Sequence, residues 1–408
     1  MTLEDLNEIE KSLSEEFKEV DKMVQHNCNK VISAFWEERV DETFFNTSTG
    51  YGYGDKGRDG IERIFSKVLG TEDALVRIQF VSGTHAVSTA LFAMLRPGDT
   101  MLAISGTPYD TMHEVIGLRE NPSSLKAHGV KYLQTDLIND DTFDEENIIK
   151  ILKEQKIKLI EIQRSRGYSC RNALSVDKIN DIIDKIRAVD KEVIIMLDNC
   201  YGALTDYEEP KADILVGSLI KNLGAGIAPT GAYIAGKKEL IELCADRLAA
   251  PGLGKEGGAS LGYNKSLLQG IYMAPRVVGD SIKHCILVAK TMEELGYAVV
   301  PRYNGKRADI VQTIIFNDED KLVKFCQGVQ KGSAIDSNVV PMPWDMPGYE
   351  HQIVMASGAF VSGSSVEISC DAPIRPPYAA FIQGGIVYEY SKLAFIEALK
   401  SIGELKWE

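Results

Sequence analysis

The run VIIMLDNCYG, residues 193–202, closes an apolar stretch on Asp198. The run DILVGSLIKNLGAGIAPTGAYIAGK, residues 213–237, then sets Lys221 in a turn rich in serine and glycine, 23 residues after that aspartate. A carboxylate at the end of a buried strand and a lysine in such a turn suit pyridoxal phosphate chemistry. The pyridine ring accepts electrons only while its nitrogen keeps a proton, and a buried carboxylate beside the nitrogen favours that form. The lysine must hold the aldehyde covalently. Its amine therefore has to lose a proton more readily than a solvated ammonium does, as in a dry pocket beside other cations. Taken singly, Asp198 reads as a turn cap and Lys221 as a surface lysine. Taken together, with Gly224 to Pro229 as a pocket wall, they read as a cofactor site.

Three further segments supply what such a site needs. In FVSGTHAVSTALFAML, residues 80–95, a strand runs into Ser82, Gly83 and Thr84 at the start of a helix, where free backbone N–H groups bind phosphate; the simpler use of these residues is a helix cap. In ISGTPYDTMHEVIG, residues 104–117, Tyr109 follows a strand end and can lay its ring in the cleft at that edge. Ser218, three residues before Lys221, can reach a phosphate oxygen. Cys200 lies two residues after Asp198 and reads as a small buried thiol.

The elements that must carry these residues alternate. Residues 1–60 read as helices ending in an irregular, glycine-dense arm. Residues 61–295 form a large α/β domain, with strands in LVRIQFVSG, TMLAIS, VKYLQTD, KLIEIQR, VIIMLD and DILVGSL separated by helices, and GAYIAGK as an antiparallel addition. A helix follows from about Lys265 to Leu295. Residues 296–408 mix strands (DIVQTIIF, SSVEISC, AAFIQGGIVY) with helices as a smaller α+β domain. A hydrophobic share of 44% in 408 residues supports a full core, and a net charge of -14 without a basic block argues against nucleic acid or an anionic membrane as partner. The acidic amphipathic N-terminus is no secretory leader, and seven scattered cysteines without a CxxC pair form neither a disulfide framework nor a zinc site. The six histidines lack metal spacing, so no metal is expected. A cytoplasmic protein is the expectation.

The order SGTHA, PYDT, LDNCYG, GSLIKNLGAGIAPTGAYIAGK, SCDAPIRPPY and FIQGGIVYEY resembles the pyridoxal-phosphate enzymes of fold type I, the aspartate aminotransferase-like fold. More narrowly it resembles the methionine gamma-lyase-like group often labelled aluminium resistance proteins, relatives of the cystathionine lyases. The resemblance runs over nearly the whole chain. It implies a large, mainly parallel, seven-stranded-type sheet domain with a smaller C-terminal domain. It further implies that Asp198 binds the pyridine nitrogen, Lys221 holds the aldehyde, Ser82, Gly83, Thr84 and Ser218 bind phosphate, and Tyr109 stacks on the ring. Cystathionine lyases also send a tyrosine and an arginine from an N-terminal arm to a neighbour's phosphate. TGYGYGDKGRD departs from that spacing but offers Tyr51, Tyr53 and Arg58. The usual substrate-carboxylate arginine falls at Ala380 and Phe381, so Arg375 becomes the first replacement, with Arg164, Arg166 and Arg171 of EIQRSRGYSCR as further candidates.

The resemblance implies a carbon–sulfur lyase acting on a sulfur amino acid, of the methionine gamma-lyase or cystathionine lyase type. Lys221 and Tyr109 would move protons and Asp198 would sustain the electron sink. One cofactor site serves many outcomes, so transamination, aldol cleavage and γ-replacement remain open, as does a non-catalytic stress protein that merely binds the cofactor. A dinucleotide reading fails because GAGIAPTG lacks GxGxxG spacing. The implied partners are an amino-acid substrate and further copies of the chain, in a dimer or tetramer with shared sites.

Overall fold

In a computed structural model the structure describes residues 1–139, 141–346 and 349–406. The chain opens with α1 (Leu3–Ser12), whose start is fixed by a reciprocal cap: Asp5 N–H donates to the Thr2 hydroxyl and the Thr2 N–H to the Asp5 carboxylate. The helices α2 (Ser14–Glu38) and α3 (Lys56–Leu69) follow, with residues 46–55 as loop between them. Next come β1 (Asp73–Arg77), α4 (Gly83–Met94), β2 (Thr100–Ala103), α5 (Met112–Ile116), β3 (Lys131–Gln134) and a small hairpin of β4 (Leu137–Ile138) and β5 (Thr142–Phe143). Then α6 (Glu145–Glu154), β6 (Leu159–Gln163), α7 (Val176–Val189), β7 (Ile194–Asp198), β8 (Ile214–Ser218), β9 (Ala232–Gly236) and α8 (Lys238–Leu248) complete the large layer. The long α9 (Asn264–Glu294) leads to β10 (Ala298–Val300), β11 (Val311–Ile315), α10 (Glu319–Lys331), β12 (Ile353–Ser357), β13 (Ser369–Pro373), β14 (Ala379–Gln383) and α11 (Tyr388–Ser401).

The large sheet has seven strands in the order β1-β9-β8-β7-β6-β2-β3. Strands β8, β7, β6, β2 and β3 run parallel, and β9 runs antiparallel to both β8 and β1. Every residue of β6, β7, β8 and β9 is buried, as expected for strands covered by helices on both faces. The fold is therefore the α/β type expected, with GAYIAGK as the antiparallel addition. The second sheet, β10-β11-β14-β13-β12, is antiparallel throughout.

Two strand expectations need correction. LVRIQFVSG is strand only to Arg77, because the chain turns away over residues 78–81 to bring Ser82 to the start of α4. SSVEISC is strand only from Ser369, because Glu367 is spent on a loop, where its carboxylate accepts from the Phe360 and Val361 N–H groups.

Residues 1–60 also do more than extend an arm. Leu6, Leu13, Val31 and Phe44 lie in the same core cluster as the sheet and α9. Tyr388 and Lys392 of α11 both bond to Glu10 of α1, which ties the first helix to the last. Leu6→Ala should thus cost about 2–5 kcal/mol of global stability, the range for a fully buried leucine. Urea unfolding measures it, and a loss under about 0.5 kcal/mol would mean that α1 is an appendage to the core.

Candidate active site

Parallel strands end together, and that delivers the chemistry to one edge. In register, Gln163 at the end of β6 stands beside Asp198 at the end of β7, which stands beside Val216 of β8, two residues before Ser218. A cavity of about 300 Å³ opens there. Among its lining residues are Ser82, Gly83, Thr84, Tyr109, Asp198, Ser218 and Lys221, so seven of the residues singled out from the sequence meet in one place.

Asp198 is buried and accepts a hydrogen bond from the Cys200 N–H at 3.0 Å. Burial pushes its carboxyl above the usual range, against the pull of its Cys200 hydrogen bonds. Such a group becomes a stable anion when a cation is placed against it, which is what a protonated pyridine nitrogen is. The Lys221 Nζ donates to the Gly363 carbonyl and the Ser365 hydroxyl, each at 2.7 Å, and lies 5.2 Å from the centre of the Tyr201 ring. Neighbouring cations were expected around this amine, but its partners are oxygens of the smaller domain and an aromatic ring.

The lysine turn holds its shape by close packing. A methyl group on Gly224 would come within 1.6 Å of the Leu219 carbonyl oxygen, and Gly270 of α9 comes so near that its own methyl would meet the Gly224 oxygen at 2.8 Å. The helix α9 thereby supports the turn from behind. Tyr109 reaches the Thr84 hydroxyl at 3.1 Å, and Thr84 reaches Thr111 at 3.0 Å. Burial first, then the Asp198 charge, pushes the Tyr109 phenol well up, so it keeps its proton and can serve as a donor.

At the start of α4, Ser82 acts as the cap: its hydroxyl accepts from the His85 N–H at 3.1 Å. Ser82 thus takes the simpler use named for it, the helix cap, and the backbone N–H groups of the turn are what is left for a phosphate. The N–H groups of Gly83 and Thr84 take no partner among the described residues. A Cβ on Gly83 would meet Cys200 Sγ and Ser218 Cβ, each at 3.2 Å, so glycine keeps this turn close to Ser218. Orphan amides, nearby hydroxyls of Thr84 and Ser218, and a buried carboxylate opposite fit the phosphate end and the nitrogen end of pyridoxal phosphate.

Several expectations are placed elsewhere. Arg164 is fully buried and saturated: its guanidinium donates to Asn199 Oδ1, the Gly202, Leu174 and Thr205 oxygens, and Glu209. It props the loop after Asp198 and does not line the cavity, so its assignment to the substrate is corrected to a positioning role. Arg166 is corrected likewise, because it is buried against Asp309 and the Val300 carbonyl and buckles the two domains together. Arg171 donates to the Gln163 and Ser165 carbonyls. Arg58, buried, donates to the Gly52 and Gly258 carbonyls within its own chain and is spent locally. Tyr51 and Tyr53 stand exposed with stacked rings 5.5 Å apart, away from this cavity. Arg375 donates to the Tyr168 carbonyl at 3.2 Å and borders an adjoining recess that shares Tyr109, Gly167 and Tyr168 with the main cavity.

The sequence reading passed over Gln163, Tyr168, Tyr201, Tyr349, Asp371 and Gln383, which also line the cavity. Asp371 carried the one available signal, a charged residue inside an otherwise buried strand. Burial pushes its carboxyl up to about 6, with the Lys221 charge pulling the other way. Glu161, two residues before Gln163, was passed over too. It is buried with Oε2 unpartnered, and burial, then the Asp198 charge, pushes it up to about 8.

Among the described residues, no group of three or more His, Cys, Asp or Glu is placed to hold a metal ion, and no helix is long and apolar enough to cross a membrane.

The profile of the methionine gamma-lyase family matches residues 2–403. The uncharacterized protein YnbB of Bacillus subtilis (strain 168) is 42% identical over 400 residues, covering 97% of this chain and 95% of that one. A carbon–sulfur lyase involved in aluminium resistance from Clostridium novyi NT superposes with a TM-score of 0.94 at 46% identity, over 98% of this chain and 96% of that one. The pyridoxal-5'-phosphate-dependent protein YhfS of Escherichia coli, at 15% identity, shares the fold with a TM-score of 0.58 over 94% of this chain and 97% of its own.

A carboxyl raised above its unfolded value contributes fully to stability only below the unfolded value, near pH 4, and that contribution is lost as pH rises through the folded value. For Glu161 the window runs from about pH 4 to about 8. Glu161→Gln should leave the thermal midpoint of the cofactor-free protein unchanged near pH 4 and raise it at pH 8, by scanning calorimetry. An equal loss at both pH values would show that the carboxyl makes a contact glutamine cannot.

Proposed function

The chain belongs to the methionine gamma-lyase family, and we propose that it is a pyridoxal-phosphate-dependent carbon–sulfur lyase. Its substrate on this reading is a sulfur amino acid, split with one water into a thiol, ammonia and a 2-oxo acid. The observation that carries it is the meeting of Asp198, Lys221 and the turn at the start of α4 in one cavity.

Bound pyridoxal phosphate supplies the sink for the electron pair left on the substrate α-carbon. Asp198 holds the proton on the pyridine nitrogen; its burial makes that pairing strong. Backbone N–H groups of Gly83 and Thr84, with the Thr84 and Ser218 hydroxyls, hold the phosphate. Tyr109 flanks the ring. Lys221 would hold the aldehyde, and its free amine would take the substrate α-proton on Nζ. The partners it has here, the Gly363 carbonyl and the Ser365 hydroxyl, give the freed amine a fixed place to wait. Tyr109 keeps its phenolic proton and can give it to the departing sulfur.

The substrate carboxylate goes to Arg375. No arginine is among the residues lining the main cavity, and of the arginines bordering the adjoining recess Arg166 is already paired with Asp309 and Arg171 donates to the Gln163, Ser165 and Asn172 carbonyls. Arg375 sits on the loop after β13 at the seam between the two spaces, and its hydrogen bond is to a neutral carbonyl. We also assign self-association to the chain, a homodimer or homotetramer. The exposed Tyr51 and Tyr53 on the glycine-rich arm are the surface that supports it.

Purified protein should show a visible absorbance band that borohydride reduction removes, and Lys221→Ala should lack it along with all thiol release. A lysine variant that keeps turnover would defeat the assignment. Thiol and 2-oxo acid from methionine, cystathionine or S-alkyl cysteines support lyase action, whereas nitrogen transfer to a keto acid would make it an aminotransferase. Arg375→Ala should raise KM about 10–100-fold, the worth of a charged hydrogen bond lost, with a smaller effect on kcat.

A further inference from the structure

The turn that offers its backbone to a phosphate is closed from behind by one side chain. His85 stands in the first turn of α4 and bonds back to both residues that lead into the helix. Its backbone N–H donates to the Ser82 hydroxyl at 3.1 Å, and its ring Nδ1 accepts from the Val81 N–H at 3.2 Å. The pair is reciprocal, like a capping box with an imidazole in place of glutamate and its backbone anchor one residue earlier. Between the two anchor points lie Gly83 and Thr84, whose N–H groups take no partner among the described residues. The ring itself is set by Phe80, fully buried, which meets it edge-on with centres 5.6 Å apart.

An N–H donor on Nδ1 fixes the state of the imidazole. Nδ1 is bare and the single proton is on Nε2. Burial makes a second proton harder to add, and the positive end of α4 acts in the same direction. His85 therefore works as an acceptor and not as a cation. It is also not among the residues lining the cavity, so it reaches a phosphate only through the chain it holds. That chain needs holding. Residues 78–82 lie outside strand and helix, and the Val81 side chain is 80% exposed, so neither a ladder nor packing fixes Val81. Backbone N–H groups bind phosphate well only while they converge on one point.

We propose that His85 is a positioning residue for the cofactor phosphate: through Nδ1 its neutral ring holds the Val81 N–H and so fixes the turn whose Gly83 and Thr84 amides receive the phosphate. The proposal rests on the pyridoxal-phosphate reading above and deepens it by naming what sets that turn.

The test separates the acceptor from the ring. His85→Phe keeps a ring against Phe80 and loses the acceptor, whereas His85→Asn loses the ring and keeps an acceptor, Oδ1, bonded to the same Cγ. The full chain, stripped of cofactor, is titrated with pyridoxal phosphate and with phosphate-free pyridoxal, following the visible band. His85→Phe should weaken pyridoxal phosphate about three- to tenfold, the worth of one neutral hydrogen bond, and leave pyridoxal as in the wild type; His85→Asn should restore the affinity. His85→Leu stands in if the phenylalanine variant does not fold. An asparagine variant as weak as the phenylalanine one overturns the proposal, as does an equal loss for both aldehydes or no loss for either. Where pyridoxal gives no band with any variant, rescue by asparagine alone decides. If the wild type gives no band even with pyridoxal phosphate, the cofactor reading fails, and calorimetric titration with inorganic phosphate decides the role of His85. Binding that His85→Phe weakens and His85→Asn restores supports it; equal binding, or none, overturns it.

Discussion

A carboxylate held in a dry place without a cation is the constraint around which this molecule is arranged. Asp198 is buried at the end of a central parallel strand, with a backbone N–H as its hydrogen-bond donor. Removing it from water is unfavourable unless a positive group arrives, so the protein is built to receive one. The surroundings follow from that need. Glu161, two residues before Asp198's neighbour Gln163 on β6, is pushed up to about 8, by burial first and then by the Asp198 charge. The Cys200 thiol is likewise pushed well up by burial and by Asp198, so it stays a thiol. Arg164, fully buried, carries charge close by but faces away, paired with Glu209 and bracing the loop that Asp198 begins. The nearby cation Arg164 is thus spent on Glu209, and the cavity retains a place for another.

Much of this was legible in the sequence because the fold repeats a simple rule. Apolar runs that end on a polar residue are parallel strands whose ends share an edge, and Asp198 and Ser218 both close such runs. The lysine turn was legible because its glycines answer to contacts that only a missing side chain permits, Gly224 against Leu219 and Gly270 above all. Arginines were the poorest guide. Arg164 and Arg166 stand within three residues of a strand end, where a substrate group would be expected, yet each is consumed by carboxylates that approach from distant parts of the chain, Glu209 and Asp309. A charge's partner is a tertiary fact, and no local spacing reveals it.

The smaller domain was hardest to read for a related reason. Its contribution to the cavity comes from one antiparallel sheet seen edge-on, where Asp371 on β13 pairs in register with Phe381 on β14. Nothing in SCDAP or AAFIQ declares that these two strands are neighbours, still less that they face a cleft made by β6, β7 and β8. The chain also bends out of strand where the pattern of apolar residues would continue it, at residues 364–368, because Glu367 is needed to hold the Phe360–Val361 loop. That loop leads to the oxygens that receive Lys221.

The division of labour between the domains can be argued from that lysine. Its backbone belongs to the large domain, packed on α9, while its amine is bonded to Gly363 and Ser365 of the smaller one. The large domain therefore fixes where the aldehyde carbon must be, and the smaller domain fixes where the amine goes when it is released. The long α9 touches both, since it backs the lysine turn at Gly270 and lodges His284 against the Gly384 carbonyl after β14. A single helix with a buried face along most of its length couples the two positions mechanically. It follows that a displacement of the smaller sheet moves the amine's resting place and the Asp371 carboxylate together, because Gly363, Ser365 and Asp371 all belong to the smaller domain.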